Sequence, residues 1–145
     1  MTCLLGEGPL HPHLKQKIND YKLENNVFLC GQQENVIEWM QASHLLVHPS
    51  EHEGLPYTLL EAMSVKCPII TTNVPGCQDL IEDNKTGILV PKGNIEALAN
   101  AIYDMYHQPE RRQYYAENAK KTQESTYTLE KMSAETQKVY ERFLS

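Results

Sequence analysis

Across residues 1–91, short apolar runs alternate with longer amphipathic ones. TCLLG (2–6) reads as a strand, and Leu14, Ile18 and Tyr21 mark the helical stretch after it. NVFLC (26–30) is a second strand, ended by Gly31, and residues 34–43 form a helix with Val36, Ile37, Trp39 and Met40 as its apolar positions. HLLVHPS (44–50) is a strand stopped by Pro49, and HEGLPYTLLEAM (52–63) a loop and helix. CPIITTN (67–73) is a β-branched strand, VPGCQDLI (74–81) a turn and short helix, and GILVP (87–91) the last strand, closed by Pro91. The strands are near-continuous apolar runs, as in a parallel sheet covered on both faces. The pattern predicts an α/β fold, a Rossmann-like doubly wound parallel sheet with right-handed crossovers.

Residues 92–145 predict a helical tail. Ile95, Leu98, Ala99, Ile102, Met105 and Tyr106 recur at helical spacing behind Asn94 as N-cap. Pro109 opens the next helix, over 109–126. Leu129, Met132, Thr136, Val139, Tyr140 and Phe143 then form one stripe over 128–143. The tail is expected to wrap the sheet, and residues 1–145 to form a single domain with one core.

Charge and composition remove several function classes. The net charge of −6 supplies no basic field for nucleic acid or anionic lipid, so an anionic ligand must be held by local groups. No apolar run approaches the ~20 residues of a membrane span. The N-terminal residues lack the basic start and apolar length of a signal peptide. Cys3, Cys30, Cys67 and Cys77 make no CxxC pair, which points to reduced thiols and a cytoplasmic setting.

The candidate chemistry lies in the stretch 52–63. Ligands of open α/β sheets bind at the carboxyl ends of strands, and the loop after residues 44–50 is such an end. The helix there is expected to start at Gly54 or Leu55, with Pro56 in its first turn, where a missing N–H costs nothing. Its unpaired N–H groups and dipole suit phosphate, and Gly54 lets a ligand approach backbone. Leu59, Ala62 and Met63 share the core face, and Glu61 points away with Gly54, Thr58 and Val65. Glu53 and Glu61 lie ~12 Å apart along a helical axis, the scale of a nucleotide sugar. Carboxylates accept sugar and ribose hydroxyls well. By spacing alone, Glu53 also reads as a dipole-favoured charge and Glu61 as a solvent-facing residue.

The surroundings of the two glutamates resemble a family. Residues 48–102 are similar to the donor-binding half of family-4 glycosyltransferases, retaining enzymes of the GT-B fold. They carry a Pro-Ser strand end, Glu-Gly, a second glutamate after seven residues, Ala-Met, a buried strand, a Gly-containing turn and a Thr-Gly strand ending in Val-Pro. LLGEGPLHPHLK (4–15) and NVFLCGQQENVIEWMQAS (26–43) resemble the family's preceding segments. The resemblance implies a C-terminal donor-binding domain over 1–145, with the N-terminal acceptor domain absent. It implies that Glu53, the catalytic candidate, holds donor-sugar hydroxyls. The Gly54–Leu55 amides, followed by Pro56, would hold the diphosphate, Glu61 the ribose, and Gly31 and Gln32 the nucleobase through backbone. The implied donor is a nucleotide-diphosphate hexose, with UDP as the expected carrier, and neither metal nor cofactor is implied. The implied partners are this nucleotide sugar and a separate acceptor-binding domain or chain, with polysaccharide or lipid-linked acceptors and a peripheral contact at the inner membrane face.

The chain departs from the family pattern in two places. The family's Arg and Lys on the diphosphate have no counterpart, Lys66 being a candidate by sequence proximity only, and Gln78–Asp79 stand where a glutamate is common. The alternative is a non-catalytic nucleotide-sugar-binding half, or a truncated remnant, that needs a partner chain. A sugar-nucleotide epimerase is a further reading, and the Glu-x7-Glu spacing counts against it.

Other signals carry less. GEGP (6–9) lacks the third glycine of a dinucleotide fingerprint, with His11 in its place. His48 and His52 have zinc spacing only on a helix, and Pro49 argues against one, leaving solvent-facing loop histidines as the simpler reading. The pairs at 111–112 and 120–121 read as a solvated helix face, Cys67 and Cys77 as buried free thiols, and the tail tyrosines as packing residues.

Overall fold

The computed structural model describes residues 1–144 and divides the chain into two compact units, 1–36 and 37–145. In the first unit, β1 (Thr2–Leu5) pairs in parallel with β2 (Val27–Gly31). A parallel pair needs a crossover, and α1 (His11–Asp20) supplies it. The register runs from Thr2 opposite Val27 to Leu5 opposite Gly31, with an irregularity between Leu4 and Leu5. Gly31 lies within the strand rather than beyond it. No residue of this unit is fully buried, although its strands are as apolar as the pattern required. One ten-residue helix cannot cover both faces of a strand pair.

In the second unit, β3 (Leu46–His48), β4 (Ile69–Thr72) and β5 (Ile88–Val90) form a parallel sheet in that order. Leu46 faces Ile69, His48 faces Thr71, and Thr72 faces Val90. The helices are α2 (Val36–Ala42), α3 (Tyr57–Ser64), α4 (Pro75–Leu80), α5 (Ile95–His107), α6 (Pro109–Thr126) and α7 (Leu129–Leu144). All four residues of β4 are buried, as a central strand covered on both faces must be. Its side chains alternate. Ile70 joins a core of Val90, Ala101, Met105 and Tyr115, whereas Thr71 meets Cys77 of α4.

From Ile95 to Leu144 the tail consists of α5, α6 and α7 with short joints between them, but it packs differently from the expectation. On α5 the inward face is Ala97, Leu98, Ala101 and Met105, while Ile95 and Tyr106 are exposed. Ala97 and Ala101 let the helix lie close to the sheet, Leu98 and Met105 fill the space beside them, and Ile95 and Tyr106 turn outward. Asn94 caps α5 by accepting the Ala97 N–H. Helix α6 packs on α3 and α5. Arg112 donates to the carbonyls of Met105 and Tyr106 at 2.5 and 2.8 Å, closing the end of α5. Arg111 reaches Asn84 Oδ1 at 2.5 Å. Lys120 Nζ donates to the Ser64 carbonyl at the end of α3, 2.7 Å away. Three of the four basic residues read as a solvated face are therefore structural contacts. The α7 stripe does not wrap the sheet: Leu129, Met132, Val139, Tyr140 and Phe143 are all exposed.

Candidate functional site

The loop between β3 and α3 holds the candidate residues of the second unit. Pro49, which has no N–H to donate, follows the last residue of β3. The Ser50 carbonyl accepts a hydrogen bond from Thr72 Oγ1, which ties the loop to β4. Helix α3 starts at Tyr57, not at Gly54 or Leu55, and Pro56 is its N-cap with φ −74° and ψ 102°. The cause is local: the residue before a proline is disfavoured in the helical region, so Leu55 cannot open the helix. Gly54 and Leu55 thus lie in the loop, exposed, while Pro56 is buried. The amides without intrahelical acceptors belong to Tyr57 and Thr58, because the Leu59 N–H already donates to the Pro56 carbonyl at 3.0 Å. The helical rise consequently applies only from Tyr57 to Glu61, and the ~12 Å axial separation falls away as a description of the loop.

Glu53 is half-buried, and its Oε1 lies 3.4 Å from His48 Nε2. His48 Nδ1 lies 3.3 Å from Thr71 Oγ1, and that hydroxyl lies 2.9 Å from the His48 carbonyl and 3.2 Å from Cys77 Sγ. Burial raises the Cys77 thiol pKa, the Thr71 hydroxyl opposes the rise, and the Glu53 carboxylate adds to it. The start of α4 presses on the same loop. A Cβ on Gly76 would stand 2.2 Å from the Gly54 carbonyl oxygen and 2.9 Å from that of Glu53. Glu61 is exposed on α3, opposite the buried Leu59, Ala62 and Met63. Among the described residues, no three His, Cys, Asp or Glu side chains gather as a metal site.

Comparison with known proteins gives the family. The family described as glycosyl transferases group 1 matches residues 1–122. This chain is a group 1 glycosyl transferase domain. Among similar proteins is the alpha-D-kanosaminyltransferase of Streptomyces kanamyceticus, 33% identical over 128 residues, covering 87% of this chain and 33% of that protein. Another is the poly(glycerol-phosphate) alpha-glucosyltransferase of Bacillus subtilis (strain 168), 33% identical over 122 residues, covering 83% of this chain and 18% of that protein. A variant of S. aureus TarM, solved with Fondaparinux, alpha-GlcNAc-glycerol and UDP, superposes with a TM-score of 0.90 at 27% identity. The match covers 95% of this chain and 28% of that one. The structural neighbours are GT-B glycosyltransferases, and the α/β fold with parallel strands and a helical tail agrees with them. The chain spans a third or less of the length of these relatives.

Within this group 1 domain, Glu53, Gly54, Leu55, Pro56 and Glu61 fall on one loop and the helix it feeds. Gly31 and Gln32 belong to the first unit, where Gly31 has φ +67° and accepts the Gly6 N–H at 2.7 Å. Thr71 and Gly76 were not singled out from the sequence, and His48, read there as a solvent-facing loop histidine, instead ends β3 with its side chain only 19% exposed, because strand pairing sets it against Thr71. A usable signal existed for His48 and Thr71, since a polar residue within or at the end of an apolar strand is covered and requires partners. No helix among the described residues is long and apolar enough to cross a membrane.

Proposed function

We propose that this domain binds a nucleotide-diphosphate hexose, and that the protein it represents transfers the hexose with retention and without a metal. The carrying observation is Glu53, half-buried on the loop that feeds α3, followed by exposed Glu61 on the open face of that helix. Glu53 accepts hydroxyls of the donor sugar, Glu61 those of the ribose. The loop amides of Gly54 and Leu55, together with those of Tyr57 and Thr58, receive the diphosphate at the positive end of α3. Gly31 and Gln32 keep their implied role, a backbone contact to the base. Catalysis is then positioning and charge stabilisation at the departing phosphate. The glycosyltransferase names of the relatives and the UDP in the TarM structure support this reading. The free, unpaired cysteines agree with a cytoplasmic setting, where such donors are used.

Transfer also needs an acceptor-binding domain or chain, so the 145-residue chain is expected to bind donor without turning it over. Calorimetric titration with UDP and its hexose conjugates tests the reading. Glu61→Ala should weaken UDP about tenfold or more, the cost of losing charge-assisted hydrogen bonds. Glu53→Ala should spare UDP and lose the gain contributed by the hexose. A folded chain that binds neither ligand sinks the donor assignment.

A further inference from the structure

His48 ends β3 opposite Thr71 on β4, and each nitrogen of its ring has a neighbour. Nδ1 lies 3.3 Å from Thr71 Oγ1 and Nε2 lies 3.4 Å from Glu53 Oε1. The ring is mostly covered, with 19% of its side-chain surface exposed. We propose that His48 is a positioning residue that fixes the Glu53 carboxylate for the donor hexose, with Thr71 fixing His48 in turn. This rests on the donor reading of Glu53.

Proton bookkeeping supports the direction of the contact. The Thr71 hydroxyl has one proton to give. If it gives that proton to Nδ1, the neutral ring carries its own proton on Nε2 and donates to Glu53. If it gives the proton to the His48 carbonyl, the shorter contact at 2.9 Å, its oxygen accepts from Nδ1–H. In that arrangement a neutral ring has its proton on Nδ1 and turns a bare Nε2 toward Glu53. The carboxylate disfavours a lone pair set against it, which favours the first arrangement, with Nε2–H donated to Glu53. Cys77 Sγ, 3.2 Å from Thr71 Oγ1, closes the far side of the hydroxyl.

The tether matters because a glutamate side chain in a loop has several rotatable bonds. Binding must otherwise order them at the moment the hexose arrives, and pre-ordering removes that cost from the bound state. A carboxylate plane held in one orientation meets adjacent sugar hydroxyls with both oxygens; a rotating one does not.

The test compares UDP with UDP-glucose on the full chain by calorimetry, and reads the ratio of the two affinities. His48→Ala should cut that ratio about tenfold while leaving UDP affinity alone, since only the sugar contact depends on the tether. His48→Gln should restore part of it, because an amide can donate to Glu53 and accept from Thr71. The double variant with Glu53→Ala should lose no more than Glu53→Ala alone, the sign of one residue acting through another. If His48→Ala does not fold, Thr71→Val keeps the ring, removes its anchor and should lower the ratio with UDP affinity intact. An unchanged ratio in these variants overturns the proposal. So does an equal loss for both ligands without rescue by glutamine, which marks a purely structural histidine. A wild-type chain that gains nothing from the hexose overturns the donor reading, and this role with it, before any variant is made.

Discussion

Gly76 admits no side chain. Its neighbour at 2.2 Å would be the Gly54 carbonyl, backbone that cannot rotate aside as a long side chain can. Gly76→Ala is expected to push the Glu53–Gly54 loop off α4 and to cost about 1–3 kcal/mol, as overpacking does. Urea unfolding reads the stability, and calorimetry should show weaker UDP-glucose binding. Cys67 makes a separate prediction. It is 2% exposed, and burial pushes its thiol from an ordinary 9.0 up to about 11, against a backbone hydrogen bond at Leu46. Above pH 9.0 the unfolded chain starts to lose this proton while the folded chain keeps it. The folded state then binds more protons, so stability falls as pH rises from 9.0 through about 11 and levels off beyond. The loss is at most about 3 kcal/mol for this group. Cys67→Ala should remove that component. Its urea midpoint should fall less than that of the wild type between about pH 8 and about pH 10.5.

At the scale of elements, α3 shows how local rules set a boundary at each end. Pro56 keeps Leu55 out of the helix, and with ψ 102° it is itself the N-cap, so α3 starts at Tyr57. At the other end, the Cys67 N–H bonds the Ala62 carbonyl at 2.9 Å and the Lys66 N–H bonds that of Met63 at 3.3 Å. This is a Schellman closure, whose pivot needs left-handed backbone. Lys66 holds it at φ +57°, a conformation glycine adopts without a Cβ penalty. Lys66→Gly should therefore stabilise the domain by about 1 kcal/mol, read as a rise in thermal midpoint. A fall instead would assign the lysine side chain a stabilising contact larger than its strain. Lys120 reinforces the same end by donating to the Ser64 carbonyl.

For the whole molecule, the informative element is α7. Its apolar stripe is exposed along its length, with Phe143 at 84%. Tyr127, just before it, anchors the end of α6 by donating to the Asp79 carbonyl at 2.6 Å. Deleting the residues after Thr128 should leave the unfolding free energy of the remainder within about 0.5 kcal/mol, because no buried side chain is lost. A larger drop in urea unfolding would show that α7 shields the domain. The relatives are at least about three times as long as the part this chain matches.

The sequence by itself determined the kinds of element and their order. A period of two or of 3.6 is written in consecutive residues and needs no distant partner. For the same reason it placed Glu53 and Glu61 on one loop and helix, and the family motifs around them. Its proline rule excluded Leu55 from α3, against the expectation of a helix at Gly54 or Leu55, but left Pro56 free to open the helix, and the extended Pro56 with a start at Tyr57 came from the structure. Only the tertiary structure decided which apolar residues are covered. Ile95 and Met105 fit one helical pattern, yet one is exposed and the other fully buried. It alone set Thr71 beside His48 across 23 positions, and His48 beside Glu53, because strand pairing joins residues that no local pattern connects. A helical stripe announces that a surface exists, whereas what covers it depends on the elements that happen to fold against it, as α5 and α7 show in opposite ways.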